Sequence, residues 1–364
     1  MSTVTRPRDP LVSALDRLAR FESSTCPVIS LYLDARPDSR GRDHYQPFVR
    51  KELAARARTY PLRSPERQSF DRDVDRIQRW LESEVQPSAN AIAIFACAGE
   101  SDFFEAIQIE PAVEENQIAV SSAPQLFTLA RLIDENPRYA LVVSDTHSAQ
   151  IHVFAFGFRI DEREVQSPTL PRSSGSGWSQ MRYQRRVGEL QKHHARELVE
   201  RLEKVVDEDG VDRLILAGND VSLPIVRREL SKRLETLVVD SLHVDTHRPL
   251  SEIVREATER LRIQDARTDG ERLEHFFGAY RAGGLATAGV DEVRRALELA
   301  QADEVLISAS LDRSGSEAER AAAAELVAMA HRTGAAVTFI EDPSRLEAVG
   351  GVGALLRYRL TAAV

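Results

Sequence analysis

The segment from Arg172 to Arg186 holds the residues whose types and spacing best suit chemistry. It reads Arg-Ser-Ser-Gly-Ser-Gly-Trp-Ser-Gln and continues as Met-Arg-Tyr-Gln-Arg-Arg. Gly175 and Gly177 permit backbone angles closed to other residues, so the chain here can approach a ligand closely. A tryptophan in such a loop is out of place unless it packs or stacks on something. The pattern predicts a flexible tip on a basic stalk that reaches into RNA, or alternatively a surface loop before a solvated helix.

Gln180 is the side chain of this tip that is suited to assist a reaction. Its amide does not titrate near pH 7 and so cannot act as a general base. It can donate and accept hydrogen bonds. The sequence shows no Gly-x-Ser-x-Gly elbow, His-Glu-x-x-His motif or Walker loop. We therefore expect no metal and no cofactor.

Other polar clusters are short, and ordinary surface structure explains them better than a site does, except for one histidine pair. They are His243 and His247 with Asp245 as a metal fragment, Asp145 with His147 in a turn, Gly350-Gly351-Val-Gly353 as a phosphate loop, and His193 with His194 as an RNA contact. The metal fragment has no evident third ligand, and the glycines lead into a strand rather than a helix. For the histidine pair, an RNA phosphate contact and a solvated helix face are both open.

Hydrophobic periodicity predicts the elements that must hold the tip. Two apolar runs, YALVVSD and AQIHVFAFG, predict a hairpin, and the long helix that carries the tip is predicted from Met181 to Asp207. The remaining predicted elements are a strand at Arg159–Val165, a strand at Asp212–Gly218, a helix at 223–235, a strand LVVDS and a helix at 250–265. Strands that alternate with helices in this way predict a partly parallel sheet covered by helices.

The regions on either side are also predicted to be mixed α/β. The first is expected to hold strands at Val28–Ala35, Ala91–Cys97 and Phe103–Ile109, helices at Phe48–Thr59 and Pro65–Val85, and a short helix opened by Pro124. The last is expected to hold helices at 271–283, 290–300 and 315–333 and the strands EVLISA, AVTFIE and ALLRYRL. A polar stretch at 262–273 separates the last region from the middle one. The predicted domains are 1–135, 136–268 and 269–364.

Composition limits the class of protein. The chain has 364 residues, of which 42% are hydrophobic and 29% charged, which is typical of a globular protein of two or three domains. Its net charge of −9 argues against a bulk nucleic-acid coat but not against a local basic site. No apolar run is long enough for a transmembrane helix and the start lacks a signal-peptide core, so we expect a cytoplasmic protein with no membrane partner. Cys26 and Cys97 are expected to be buried structural thiols.

Three segments together resemble the archaeo-eukaryotic peptide chain release factor superfamily. Gly175, Gly177 and Gln180 followed by Arg182-Tyr183 resemble the family's Gly-Gly-Gln loop, arginine–aromatic pair and long helix. The central strands, including LILAGND at Leu214–Asp220, follow in the family's order. The last region is similar in GVDEVRRALELAQADEVLIS at Gly289–Ser308 and GGVGALLRYRL at Gly350–Leu360. The resemblance covers roughly residues 138–364 and is to bacterial relatives and the ribosome-quality-control branch.

The resemblance implies a fold and a set of site residues. It implies an α/β protein of three domains, with a mixed-sheet central domain whose exposed glycine-rich loop leads into a long helix, and a C-terminal α/β/α sandwich. The residues that it implies are Gln180, Gly177 and Gly175 as catalytic, and Trp178, Arg172, Arg182, Tyr183, Arg185 and Arg186 as RNA-binding. The implied partners are the ribosome through its large-subunit RNA, peptidyl-tRNA and a translational GTPase.

The resemblance implies hydrolysis of the peptidyl-tRNA ester on stalled ribosomes. Stop-codon reading is not expected, because the Asn-Ile-Lys-Ser motif has no counterpart in this chain. An ungapped alignment on Arg182-Tyr183 puts Trp178 where the glutamine should be. That departure supports the alternative of a non-catalytic ribosome-binding hibernation or occupancy factor. A third interpretation is an RNA-binding protein unrelated to ribosomes.

Overall fold

The computed structural model describes residues 10–23, 25–37, 43–87, 89–109, 111–155, 158–166, 177–313, 316–342 and 344–358. Within this part, the chain forms two compact units. One contains Pro137–Asp269, and the other combines Pro10–Asn136 with Gly270–Val364. The mixed α/β class is confirmed. The limits of the three domains stay a prediction.

The described part of residues 10–136 forms an antiparallel sheet with helices on both faces. The elements are α1 (Pro10–Ala19), β1 (Val28–Asp34), α2 (Tyr45–Ala57), α3 (Pro65–Ser83), β2 (Ala91–Cys97), β3 (Phe103–Ile109), β4 (Gln117–Ser121) and α4 (Phe127–Glu135). The strand order is β3-β2-β1-β4. Both predicted strands that end at Cys97 and Ile109 have the predicted limits. The helix predicted to open at Pro124 begins at Phe127 instead.

Helix α3 shows how local sequence sets an element and its buried face. The Ser64 hydroxyl accepts a hydrogen bond from the Arg67 amide at 3.2 Å, and Pro65 occupies the first turn, so the helix begins with a cap and a preset backbone angle. Phe70 and Ile77 are fully buried against the sheet. Asp73 lies on the same face and is also buried, with its carboxylate accepting from the Ala98 amide at 2.9 and 3.1 Å.

The middle unit is built on a five-stranded mixed sheet. Its elements are β5 (Tyr139–Ser144), β6 (Ser148–Ala155), β7 (Phe158–Gln166), α5 (Gly177–Glu208), β8 (Arg213–Gly218), α6 (Ser222–Glu229), α7 (Lys232–Leu237), β9 (Val238–His243) and the start of α8 (Leu250–Arg281). The order is β7-β6-β5-β8-β9, with β5, β8 and β9 parallel and the hairpin strands antiparallel. The predicted hairpin and partly parallel sheet are confirmed.

The last region is the predicted α/β/α sandwich. Its elements are β10 (Ala286–Ala288), α9 (Val290–Glu298), β11 (Ala302–Ser308), α10 (Ser310–Arg313), α11 (Glu317–Thr333), β12 (Ala336–Ile340), α12 (Ser344–Glu347) and β13 (Val352–Leu356). The order is β10-β13-β11-β12. Along β11, Val305 and Ile307 face α9 and α11, whereas Leu306 faces the end of α8. Gly350 and Gly351 have φ values of +76°, which confirms a turn before β13.

One apolar core joins the first and last stretches of the chain. It contains residues of α1, α4 and β2 together with residues of α11 and β12. The rings of Phe127 and Phe339 meet edge to face at 5.0 Å, and the Asp134 carboxylate accepts from the Phe339 amide at 3.0 Å. Arg332 forms an ion pair with Glu22 on the rim. These stretches were predicted as separate domains, and sequence patterning gave no sign that they share a core.

Two predictions of helix limits are wrong for identifiable reasons. The helices predicted at 250–265 and 271–283 are one helix, because α8 runs from Leu250 to Arg281 through the polar stretch 262–273. Most of its residues favour a helix, and a single glycine costs only about 1 kcal/mol. The helix predicted at 223–235 is two helices, because Leu230 leaves the helical conformation with ψ 138° and Ser231 caps α7 by accepting from the Leu234 amide.

Cys26 and Cys97 are both buried free thiols, as predicted. None of the helices in the described ranges has the length and apolar character needed to cross a membrane.

We predict that Asp73→Asn makes the free energy of unfolding less sensitive to a rise in pH from 4 to 8. Burial raises the pKa of Asp73 to about 7. The folded state therefore holds a proton that the unfolded state releases near pH 4, and the free energy of unfolding of the wild type falls as pH rises from about 4 to 7. The free energy of unfolding of the variant, taken relative to that of the wild type, should rise by about 2–4 kcal/mol between pH 4 and pH 8 in urea titrations. Asp75→Asn, at an exposed position of the same helix, is the control. A constant difference between variant and wild type across this range would contradict the prediction.

We predict that Phe339→Ala weakens the first stretch of the chain as well as the last. Truncating this buried ring should lower the free energy of unfolding by about 3–5 kcal/mol. Amide hydrogen exchange should also speed up in α1 and α4, because they share its core. Phe339→Leu keeps most of the apolar volume, so its free energy of unfolding should fall much less. Unchanged protection of α1 and α4 in Phe339→Ala would show that the two stretches unfold independently.

Candidate functional site

The candidate tip lies at the start of α5, a helix of 32 residues. Such a helix is about 48 Å long. It begins at Gly177, whereas the sequence predicted Met181, so Gly177 and Gln180 have helical backbone in its first turn rather than loop backbone. The first four amide N–H groups of a helix have no partner within it, and its N-terminus carries partial positive charge. This end of α5 is therefore suited to an anionic group.

The predicted site residues fall into three groups. Arg172 and Gly175 lie outside the described residues. The structure describes only the backbone, which is helical, for Gly177, Trp178, Gln180, Arg182 and Tyr183. Arg185 and Arg186 are described in full and are exposed. The structure thus places seven of the predicted residues on one helix end, and their catalytic and RNA-binding roles stay predictions.

The basic side chains along the first half of α5 differ in whether they form ion pairs. Lys192 lies 3.4 Å from Glu189, and Arg196 lies 2.9 Å from Glu229, so these cations are paired within the protein. No ion pair of Arg185 or Arg186 occurs within the part of the chain that the structure describes. Within the described residues, no carboxylate neutralises these two guanidinium groups, and a guanidinium group is suited to binding a phosphate.

The second half of α5 anchors the helix to the sheet. Leu198, Leu202 and Val205 are fully buried against β5, β6 and β8. Strand β8 ends at Gly218, where an added Cβ would lie 2.5 Å from the Ser144 carbonyl oxygen. Glycine therefore allows the close packing at the carboxyl ends of β5 and β8.

His194 is the first buried residue of α5 among the described side chains, at 3% exposure. It lines a small cavity with Asp145 and Ser222. Burial lowers the pKa of His194, so the ring is neutral near pH 7. Neither of its predicted roles, a phosphate contact or a solvated face, fits this position, although exposed His193 still fits both. The four-residue spacing from His194 to Leu198 was the signal for burial.

The Asp145 side chain stabilises the hairpin turn, as the turn interpretation predicted. It accepts hydrogen bonds from the amides of His147 at 2.6 Å and Ser148 at 2.8 Å. Burial alone would raise the pKa of Asp145, but these hydrogen bonds outweigh burial and lower it. The carboxylate is therefore committed to local structure.

His243 and His247 pair with different carboxylates. His243 Nδ1 lies 2.8 Å from Asp220 Oδ1, and His247 Nδ1 lies 3.0 Å from Asp245 Oδ1. Among the residues that the structure describes, no three His, Cys, Asp or Glu side chains are grouped so that they could hold a metal ion. The metal-fragment interpretation gains no support from this geometry.

Comparison with known proteins adds two family matches. A model described as "Bacterial archaeo-eukaryotic release factor family 10" matches residues 124–262, and one described as "eRF1 domain 3" matches residues 266–360. The first match spans the mixed sheet and α5, and the second spans the C-terminal sandwich. The first match begins at residue 124, earlier than the resemblance drawn from the sequence, which started at residue 138.

Individual relatives are distant. The pelota homologue of Methanocaldococcus jannaschii is 27% identical over 180 residues, which are 47% of this chain and 49% of that protein. Peptide chain release factor subunit 1 of Thermococcus kodakarensis is 25% identical over 291 residues, which are 64% of this chain and 69% of that protein. The chain thus spans about half the length of the pelota homologue.

Among solved structures, Dom34 of S. cerevisiae is 11% identical, with a TM-score of 0.47 over 75% of this chain and 87% of that one. Its description is a translation termination-like factor that is involved in RNA quality control pathways and interacts with Hbs1. The two family models lie one after the other and together cover more than half of the chain. The protein is therefore a member of the archaeo-eukaryotic release factor superfamily.

Proposed function

We propose that this protein associates with ribosomes as a release-factor-like protein and hydrolyses the peptidyl-tRNA ester on stalled ribosomes. The observation that carries the proposal is the position of Gly177–Gln180 in the first turn of a long helix whose second half is anchored in the family's central sheet. The proposal implies a cytoplasmic location. It includes no stop-codon reading.

In this proposal, Gln180 acts by hydrogen bonding alone. Its amide would hold a water molecule against the ester and stabilise the oxyanion that forms when water attacks the carbonyl carbon. The start of α5 adds unpaired N–H groups and partial positive charge at the same place. His194 is too far away to assist as a base, because it lies fourteen positions after Gln180 on the helix, a rise of about 21 Å. Ribosomal RNA would supply the rest of the site.

Cations would hold the tip on RNA. Arg185 and Arg186, exposed one to two turns beyond Gln180, are proposed to contact phosphates of large-subunit RNA. Arg172, Arg182, Trp178 and Tyr183 are proposed to extend this surface, with the aromatic rings stacking on bases.

A protein partner is proposed by analogy with relatives. The description of Dom34 names Hbs1 as its partner, and another solved relative is titled as ribosome-bound archaeal Pelota with ABCE1. We propose that the C-terminal sandwich of this chain binds a translational GTPase.

A non-catalytic occupancy factor is the second candidate function. Two observations favour it. Trp178 takes the place of the family's glutamine in an ungapped alignment, and Gln180 has helical rather than loop backbone. In this case Trp178 would stack on a base and block the peptidyl-transferase centre without turnover.

We predict that Gln180→Ala lowers peptide release about 10²–10³-fold, the cost of losing one oxyanion donor. Release of labelled peptide from peptidyl-tRNA is measured on purified bacterial ribosomes, with binding followed in the same samples. Gln184→Ala is the matched control, because it removes the same side chain one turn further along α5. It should release peptide like the wild type.

Other outcomes separate the candidate functions. If the wild type binds but releases nothing, the hydrolase proposal is wrong and the occupancy factor is supported, in which case Trp178→Ala should weaken binding. If it binds unrelated RNA as well as it binds ribosomes, both ribosomal functions are wrong.

We predict that the double variant Arg185→Ala, Arg186→Ala binds ribosomes more weakly and with less salt dependence. Each lost phosphate contact should reduce the slope of log affinity against log salt by about 0.7–0.9. Arg255→Ala with Arg262→Ala removes the same charge from exposed positions on α8 and is the control. Equal slopes for the two double variants would exclude a specific role for Arg185 and Arg186.

A further inference from the structure

Gly188 stands in the interior of α5 without a packing reason. A Cβ added there would meet no atom within 4 Å among the described residues. Gly353 is different, because a Cβ there would lie 2.4 Å from the Phe276 ring. Glycine inside a helix is less stable than alanine by about 1 kcal/mol. At Gly188, no close contact offsets that cost.

The position of Gly188 connects the candidate tip to the anchored half of the helix. It lies eight residues after Gln180 and six before His194, about 12 Å and 9 Å along the axis. From Arg185 to His193, no side chain is buried. Among the described side chains, bending at Gly188 would therefore break no core contact, whereas bending beyond His194 would expose Leu198 and its buried neighbours.

We propose that Gly188 is a hinge that positions Gln180 relative to the anchored half of α5. A bend of about 10° at Gly188 displaces the backbone at Gln180 by about 2 Å. Errors of about 1 Å in placing a reacting group are enough to change rates strongly. The hinge itself does not depend on the proposed hydrolysis, but its role in positioning Gln180 rests on that function.

Gly188→Ala tests the hinge, and Gly278→Ala is the matched control. Gly278 is also inside a long helix, and a Cβ there would also meet nothing within 4 Å. In the free full-length protein, amide hydrogen exchange around residues 185–192 should slow about fivefold in Gly188→Ala, which corresponds to 1 kcal/mol of added helix stability. Exchange around residues 198–206 should not change. Gly278→Ala should leave both regions as in the wild type. Unchanged exchange around Gly188 in its own variant overturns the hinge.

A second measurement tests the positioning role. On saturating ribosomes, Gly188→Ala should release peptide about fivefold more slowly, with an unchanged concentration for half-maximal release. Gly278→Ala should behave like the wild type. Slower exchange with an unchanged release rate overturns the positioning role. If the wild type itself releases no peptide, the proposed function fails, and hydrogen exchange still decides whether Gly188 is a hinge.

Discussion

Apolar contact between the second half of α5 and the central sheet is the interaction on which the candidate site depends. Leu198, Leu202 and Val205 are fully buried there, and burying a side chain of this size contributes about 2 kcal/mol. The helix continues for more than four turns beyond His194 towards its N-terminus. Packing at one end therefore sets the direction of an axis whose other end carries Gly177 and Gln180.

The same arrangement separates stability from chemistry. Asp145 and His194 are polar residues near the anchor, but one stabilises a turn and the other is buried and neutral. Arg185 and Arg186, which are proposed to contact RNA, are exposed and lie nearer the other end of α5. Substitutions of these two arginines can therefore change function with little effect on folding.

The shared core of the first and last stretches limits where partners can bind. Phe127 and Phe339 meet within it, and α11 packs against α1 and α4. Separating these elements would expose apolar surface that no interaction on the rim, such as the Arg332–Glu22 pair, could offset. The partner proposed for the C-terminal sandwich must therefore use a surface other than this side of α11.

Local sequence determined much of the secondary structure and the family. The runs Ala91–Cys97 and Phe103–Ile109 were predicted with their observed limits, because strongly apolar runs between turns have few alternatives. The resemblance to the superfamily came from three segments together: the loop that ends at Gln180, the central strands and the last region. Two helices were predicted on either side of the polar stretch 262–273 where the structure has one, because a solvated helix and a linker have similar composition.

Only tertiary structure decided which surfaces meet. Leu15 and Val327 are apolar in either case, but the sequence cannot tell that they belong to one core, because contacts between distant segments leave no periodic pattern. His194 is polar by type and buried by position, since the helix face that holds Leu198 also holds it. The sequence by itself therefore determined the helices and strands and the hydrogen-bonding groups of Gln180. Only the fold decided that Gln180 lies in the first turn of a helix whose second half is anchored to the sheet. The reason is that this anchoring depends on the apolar area that the sheet covers.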